Sequence, residues 1–103
     1  MPKFMFIYHG GKAPESPEAV EKVMAAWQSW LGGIGDGLVD GGNPAGMSST
    51  VFADRVEENG GSNPVSGYTL VDAADKAAAV KIAQGCPILD DGGSVEVAEA
   101  MEM

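Results

Sequence analysis

The sequence predicts an α+β fold in which two β-α-β halves share one antiparallel sheet. Three observations support it: an apolar, strand-like run at residues 3–9, a helical pattern of apolar residues between Val20 and Ile34, and a second strand–helix–strand series over residues 67–98. The resulting order is strand, helix, strand or hairpin, strand, helix, strand. This is the order of the ferredoxin-like βαββαβ sandwich, which carries both helices on one face of its sheet.

Length and composition indicate one soluble globular domain covering residues 1–103. Hydrophobic residues make up 45% of the chain and charged residues 20%, which is typical of a folded protein. The net charge of −9, with only six Lys and Arg, argues against nucleic acid as a partner because basic side chains make the phosphate contacts. No apolar segment is long enough for a membrane span, and the start of the chain has no secretory pattern. We therefore expect a cytoplasmic protein.

The first predicted strand is apolar on both of its faces. Alternation divides its side chains into two sets: Phe4, Phe6 and Tyr8 on one face, Met5, Ile7 and His9 on the other. Helices cover only one face of such a sheet, so the second apolar face needs another cover. A second copy of the chain is the simplest one, and the sequence therefore predicts a homodimer.

The first helix has a clear start signal. Ser16 is a good N-cap, Pro17 suits the first helical position and Glu18 favours the positive end of the helix dipole. The apolar stripe that follows contains Val20, Val23, Met24, Trp27, Leu31 and Ile34. We expect Gly32-Gly33 to end this helix.

The middle of the chain is rich in glycine and only weakly patterned. Leu38-Val39 is consistent with a short strand and residues 50–53 with a further one, whereas residues 57–63 are expected to form a polar, exposed loop with a turn at residues 59–61. Neither glycine cluster has the spacing of a phosphate-binding loop. No nucleotide site is predicted.

The second half repeats the strand–helix–strand pattern. Residues 67–72 predict a strand whose last residue, Asp72, caps the next helix, with Asp75 supporting the first turn. Gly85 and Pro87 end that helix, and residues 94–98 form the last strand. The single cysteine, Cys86, excludes an internal disulfide and suits a buried, small hydrophobic position.

No metal or cofactor is predicted. His9 is the only histidine of the chain, so no other imidazole is present to complete a metal site with it. The acidic residues from Asp90 to Glu102 alternate with apolar strand positions. They are better explained as a solvated edge of the sheet than as a cation site.

Four segments, taken in order, resemble the YCII-related family, which includes proteins with the DGPF motif. They are residues 3–9, the helix end Trp27-x-x-Trp30-Leu31, residues 63–68, and Gly85-Cys86-Pro87 with residues 92–97. The resemblance implies a small dimeric α+β barrel, a fold shared with several small-molecule isomerases and monooxygenases. For most members of the family no reaction is known.

The resemblance also implies candidate catalytic residues. Some members carry a His on the first helix and an Asp at the turn before the second strand, proposed as an acid–base pair. Asp36 matches that Asp by its place before Leu38-Val39, but the matching helix region around Met24 to Gln28 has no histidine. The DGPF motif is missing too; the nearest segment is residues 59–62, NGGS. Half of the proposed pair is therefore absent.

Two further polar residues are candidates for a pocket. His9 ends the first strand beside Gly10-Gly11, a place where a ligand can approach the backbone, and Tyr68 lies on the second central strand. His9 and Asp36 of one subunit are expected at opposite ends of the sheet, about 20 Å apart. Only a partner subunit would bring them together.

Two functions remain open from the sequence. The first is a small-molecule enzyme of isomerase, lyase or hydrolase type, with His9 and Asp36 as catalytic groups and Tyr68 as a ligand contact. The alternative is a non-catalytic dimeric module that binds a ligand or a protein, which the missing helix histidine favours. Whether the chain is an enzyme is not decided by its sequence.

Overall fold

The computed structural model describes residues 1–12, 14–58 and 63–102. Its strands and α-helices are, in chain order, β1 (Lys3–His9), α1 (Pro17–Ile34), β2 (Leu38–Asp40), β3 (Ser49–Val51), β4 (Val56–Glu58), β5 (Val65–Asp72), α2 (Lys76–Ala83) and β6 (Ser94–Glu99). Short 3-10 turns lie at Gly35–Gly37 and Pro87–Asp91. Within the described ranges, no helix is both long and apolar enough to cross a membrane.

The main sheet has four strands in the order β2-β5-β1-β6, and every neighbouring pair is antiparallel. This confirms the predicted mixed α+β fold with the ferredoxin-like arrangement. The central strand β1 pairs with β5 on one side and with β6 on the other. Near the start of β1, Phe4 lies opposite Val71, which in turn lies opposite Leu38.

The hydrophobic core lies between one face of this sheet and both helices. As predicted, Phe4, Phe6 and Tyr8 share that face, and all three are buried. The core also contains Val71, Ala73, Ala79, Ala83, Cys86 and Ile88. The other face, carrying Met5, Ile7 and His9 and called here the open face, is only half-buried.

Helix α1 begins as the sequence predicts and ends later than expected. The Ser16 side chain accepts a hydrogen bond from the Ala19 backbone N–H at 3.1 Å, which confirms it as the N-cap. The prediction that Gly32-Gly33 ends the helix is wrong, because the helix continues to Ile34. Gly35, at φ 67°, is the residue whose backbone leaves the helical conformation.

The N-cap of α2 also differs from the prediction. Asp75 caps α2, its carboxylate accepting from the Ala78 N–H at 2.8 Å, because Asp72 still belongs to β5, where it pairs with Lys3.

Glu57 and Glu58 were expected in a loop, but they lie in β4, which pairs with β3 in a separate two-stranded sheet. Local pairing with Thr50 and Ser49 outweighs the polar composition of this segment. The turn predicted at residues 59–61 lies outside the described residues.

Candidate functional site

A cavity of about 580 Å³ lies between α1 and the ends of the two central strands. Its walls come from α1, from the loop after β1, from the loop after β2 and from the 3-10 turn before β6. No side chain of α1 is fully buried, although the helix has 18 residues. The cavity therefore occupies space that α1 leaves between itself and the sheet.

The floor of the cavity is formed by Tyr8 and Gly67, which lie opposite each other on β1 and β5. A Cβ at position 67 would lie 3.1 Å from the Asn43 carbonyl oxygen and 3.4 Å from the Tyr8 ring. Glycine at this position therefore gives the floor no side chain of its own. The part of the Tyr8 ring that borders the cavity can then face a ligand directly.

The roof of the cavity is one stripe of α1. Its members are mainly apolar and recur at helical spacing: Val23, Met24, Trp27, Gln28 and Leu31. The Trp27 ring meets the Tyr8 ring edge to face, with centroids 5.1 Å apart and planes at 81°. Roof and floor together present two aromatic rings and several aliphatic side chains, a lining suited to a flat apolar ring.

The loop after β2 forms one side wall and follows the edge of β5 closely. Gly42 has a φ of 75°, and a Cβ there would lie 1.6 Å from the Tyr68 carbonyl oxygen, so no side chain fits at this position. The loop is fixed by backbone bonds from Tyr68 N to Asn43 O (3.4 Å) and from Ala45 N to Ser66 O (3.0 Å).

Charged side chains are sparse around this cavity. Among the described residues that line it, Lys12 and Asp91 carry formal charges. Lys12 follows Gly10 and Gly11, whose φ angles of 74° and 87° turn the chain after β1. A ligand would thus meet an apolar interior and at least one group of each sign in its lining.

A buried hydrogen-bond chain connects the floor to the side wall. The Tyr8 hydroxyl donates to Thr69 Oγ1 at 2.6 Å, and the Thr69 hydroxyl donates to the Gly41 carbonyl at 3.0 Å. Burial raises the pKa of Tyr8 far above its ordinary value. Burial also raises the pKa of the neighbouring Cys86 thiol to about 11. Both groups are therefore neutral around pH 7.

His9 lies on the open face, away from the described lining of the cavity. Its Nε2 is 3.0 Å from a Glu96 carboxylate oxygen, and its Nδ1 is 3.1 and 3.3 Å from the carbonyl oxygens of Asn63 and Pro64. Both ring nitrogens thus contact oxygen acceptors of the same chain. These contacts account for His9 as a residue that holds the end of β1, and its catalytic role stays a prediction.

Asp36 is exposed in the 3-10 turn before β2. It precedes Leu38, which lies in the row of Val71 and Phe4, whereas His9 is at the opposite end of β1. The two ends of this strand segment are about 17 Å apart. One subunit therefore keeps His9 and Asp36 apart, as expected from the topology, and Asp36 is not among the described residues that line the cavity.

Tyr68, the predicted ligand contact, is among the residues that line the cavity, but it lies opposite Ile7 in the strand pairing, so its side chain is on the open face of the sheet. Its role in binding stays a prediction. The other lining residues were not identified from sequence as site residues. A sequence signal that could have found them is the stripe of bulky apolar side chains on α1, which the structure places over Gly67.

Within the described parts of the chain, no group of three or more metal-ligating side chains comes together.

Comparisons with known proteins identify the fold. No protein-family model matches the sequence, and no curated protein matches it either. A solved structure of 5-chloro-2-hydroxyhydroquinone dehydrochlorinase from Burkholderia phenoliruptrix, in complex with 2,5-dihydroxybenzoquinone, is similar with a TM-score of 0.56. The alignment covers 96% of this chain and 95% of that one at 14% sequence identity. At this identity the similarity establishes a shared fold.

Proposed function

We propose that this protein binds a small, single-ring compound with polar ring substituents in the cavity beneath α1. The observation that carries the proposal is the cavity itself, about 580 Å³ in volume and walled by Tyr8, Trp27, Met24 and Leu31. Ligand pockets typically enclose about 300–1,000 Å³ and are mainly apolar with a few polar groups. Lys12 and Asp91 supply such polar groups here.

The structural neighbour suggests which compounds to try first. Its name gives a chlorinated hydroxyhydroquinone as its substrate, and its solved complex contains 2,5-dihydroxybenzoquinone. Hydroxylated phenols and quinones are flat, contain one ring and carry oxygen substituents, so they match the aromatic lining described above. Lactones and keto acids of similar size form the comparison set.

Membership of the YCII-related family is part of the same proposal. It is supported by the four ordered segments of the sequence and by the fold shared with the dehydrochlorinase. That alignment covers nearly the whole of both chains.

Binding without turnover is the simpler form of the proposal. The described lining of the cavity contains neither His9 nor Asp36, so an acid–base reaction using them requires a different placement, such as a site shared with a second subunit. Incubating the protein with the compounds above and following product formation tests this. Turnover that disappears in His9→Asn or Asp36→Asn, with ligand affinity unchanged, would favour the enzyme.

We also expect a homodimer formed through the open face. Met5, Ile7 and Leu70 lie on this face and are only half-buried, and both described helices pack on the opposite face. Sedimentation at micromolar concentration is expected to give a dimer, and Ile7→Glu a monomer. Val20→Glu, on the exposed side of α1, serves as the control that stays dimeric. A monomeric wild-type protein would overturn this part.

The binding proposal is tested by filling the cavity. Met24 is 56% exposed and lines the cavity, whereas Val20, one turn earlier on α1, is 38% exposed and is not among the lining residues. Calorimetric titration with phenols and quinones is expected to show an affinity loss of about tenfold or more in Met24→Trp. Val20→Trp is expected to keep the wild-type affinity. Equal affinities in both variants would contradict a site beneath α1.

A further inference from the structure

The buried Thr69 hydroxyl joins two walls of the cavity. Thr69 is 0% exposed and is the buried polar side chain of the described core. Its oxygen accepts the Tyr8 hydroxyl proton at 2.6 Å and its own proton goes to the Gly41 carbonyl at 3.0 Å. Tyr8 belongs to the cavity floor and Gly41 to the side wall.

The side wall needs this contact because the regular strand pairing ends just before it. Leu38 lies opposite Val71, but Asp40 lies opposite Leu70, so the register shifts within β2. Gly41 follows that shift and lies outside the strand. A side-chain hydroxyl therefore satisfies a carbonyl at the point where the ladder has lost its regular spacing.

The Tyr8 hydroxyl is fully engaged by the same contact. Its proton is donated to Thr69, so the ring of Tyr8, rather than its hydroxyl proton, is available to a bound molecule. Removing the Thr69 hydroxyl should leave both Tyr8 and the Gly41 carbonyl without their partner.

We infer that Thr69 is a positioning and specificity-determining residue: its hydroxyl holds the start of the residue 41–44 wall against Tyr8 and so limits the size of the ligand that the cavity accepts. The inference rests on the proposed function for its ligand and extends it to ligand size. Backbone bonds at Asn43 and Ala45 hold the far part of the wall, and the Thr69 hydroxyl holds its near part at Gly41. Loss of the hydroxyl therefore frees the Gly41 part of the wall from the floor. The preference for one ring over two then weakens.

The test compares Thr69→Val with Thr69→Ser and with Val71→Ala. Val71 is also 0% exposed, lies two residues further on β5 and is not among the residues that line the cavity, so Val71→Ala controls for general loss of stability. Affinities for catechol and for naphthol are measured by calorimetric titration. Thr69→Ala replaces Thr69→Val if the latter does not fold.

Wild type, Thr69→Ser and Val71→Ala are expected to prefer catechol. Thr69→Val is expected to lower the catechol-to-naphthol affinity ratio about tenfold, because the freed wall admits the larger ligand. An unchanged ratio in Thr69→Val, or an equal change in Val71→Ala, would overturn the inference.

Hydrogen exchange separates failure of this inference from failure of the proposed function. If the wild-type protein binds neither compound, the proposed function fails and the wall is examined alone. Faster exchange of the amides of residues 42–45 in Thr69→Val than in Val71→Ala then supports the role of Thr69 in holding the wall. Equal exchange in the two variants overturns it.

Discussion

The two helices cover the same face of the sheet in different ways. α2 is 8 residues long and buries Ala79 and Ala83 completely or nearly so, whereas α1 has 18 residues and no fully buried side chain. Small side chains let α2 approach the strands closely. The bulkier side chains of α1, Trp27 and Leu31 among them, meet a floor that contains Gly67, and a cavity remains.

This difference indicates a division of roles. The α2 end of the sandwich is closely packed and contributes stability, because filled volume and buried apolar area both favour the folded state. The middle of α1 packs less closely on the sheet and so contributes less stabilisation, and a cavity of ligand size lies beneath it. The C-terminal part of α1 still contributes to the core through Trp30 and Ile34.

The largest predicted effect tests the close packing of α2. Ala79 is 0% exposed, so Ala79→Leu forces extra volume into a filled site and should lower the free energy of unfolding by about 2–3 kcal/mol. Ala26→Leu makes the same change on the exposed side of α1 and should stay within about 0.5 kcal/mol of wild type. Urea unfolding measures both. Equal losses would show that the helices do not differ in packing.

An intermediate effect is predicted for the contact between the helices. The Trp30 indole N–H donates to the Ile82 carbonyl at 3.1 Å, and its ring stacks on Phe6 with centroids 6.2 Å apart. Trp30→Phe removes the donor and should cost about 1–2 kcal/mol. Trp27→Phe is the matched control and should cost less, since Trp27 lines the cavity. The reverse order in thermal or urea unfolding would contradict this assignment.

An effect of similar size, confined to alkaline pH, is predicted for the buried thiol of Cys86. Burial raises the pKa of its thiol from 9.0 to about 11. Between these values the unfolded chain has released the proton and the folded chain retains it, so stability falls as pH rises from about 9 to 11. The fall attributable to Cys86 should be about 1–2 kcal/mol.

Cys86→Ala should flatten this part of the stability curve, measured by urea unfolding at pH 8, 9, 10 and about 11. Burial also raises the pKa of Tyr8, so the stability of the variant still depends on pH to some extent. Identical curves for wild type and Cys86→Ala would show that the thiol is not buried as described.

The fold could be predicted because its signals are local. The alternation in β1, the Ser16 cap of α1 and the apolar strand β5 each depend on a few neighbouring residues, and all three are present in the structure. Asp72 was wrongly chosen as a cap because nothing in its neighbourhood reveals that it pairs with Lys3, far away in sequence. The sequence does not predict β4, because two consecutive glutamates are more typical of an exposed loop than of a strand.

The candidate site could be predicted only in part because it depends on distances between elements. Tyr68, a predicted pocket residue, is among the residues that line the cavity, although its side chain lies on the open face. The sequence pattern does not reveal how far α1 lies from the sheet. It also does not reveal that Gly42 lies against the Tyr68 carbonyl. The sequence predicts His9 as a pocket residue because it is titratable and stands beside two glycines. Its contacts with Glu96 and two carbonyl oxygens are long-range and invisible in sequence.

The most direct measurement is a two-dimensional NMR titration of the ¹⁵N-labelled protein with 2,5-dihydroxybenzoquinone and catechol. The indole N–H signals of the two tryptophans are compared. Trp27 lines the cavity, whereas Trp30 is hydrogen-bonded to Ile82 and is not among the described residues that line the cavity. We expect saturable shifts of the Trp27 indole and of the amides of residues 41–43 and 67, larger than those of Trp30. Shifts confined to the open face around Ile7 and His9, or no saturable shift with either compound, would contradict a ligand site beneath α1.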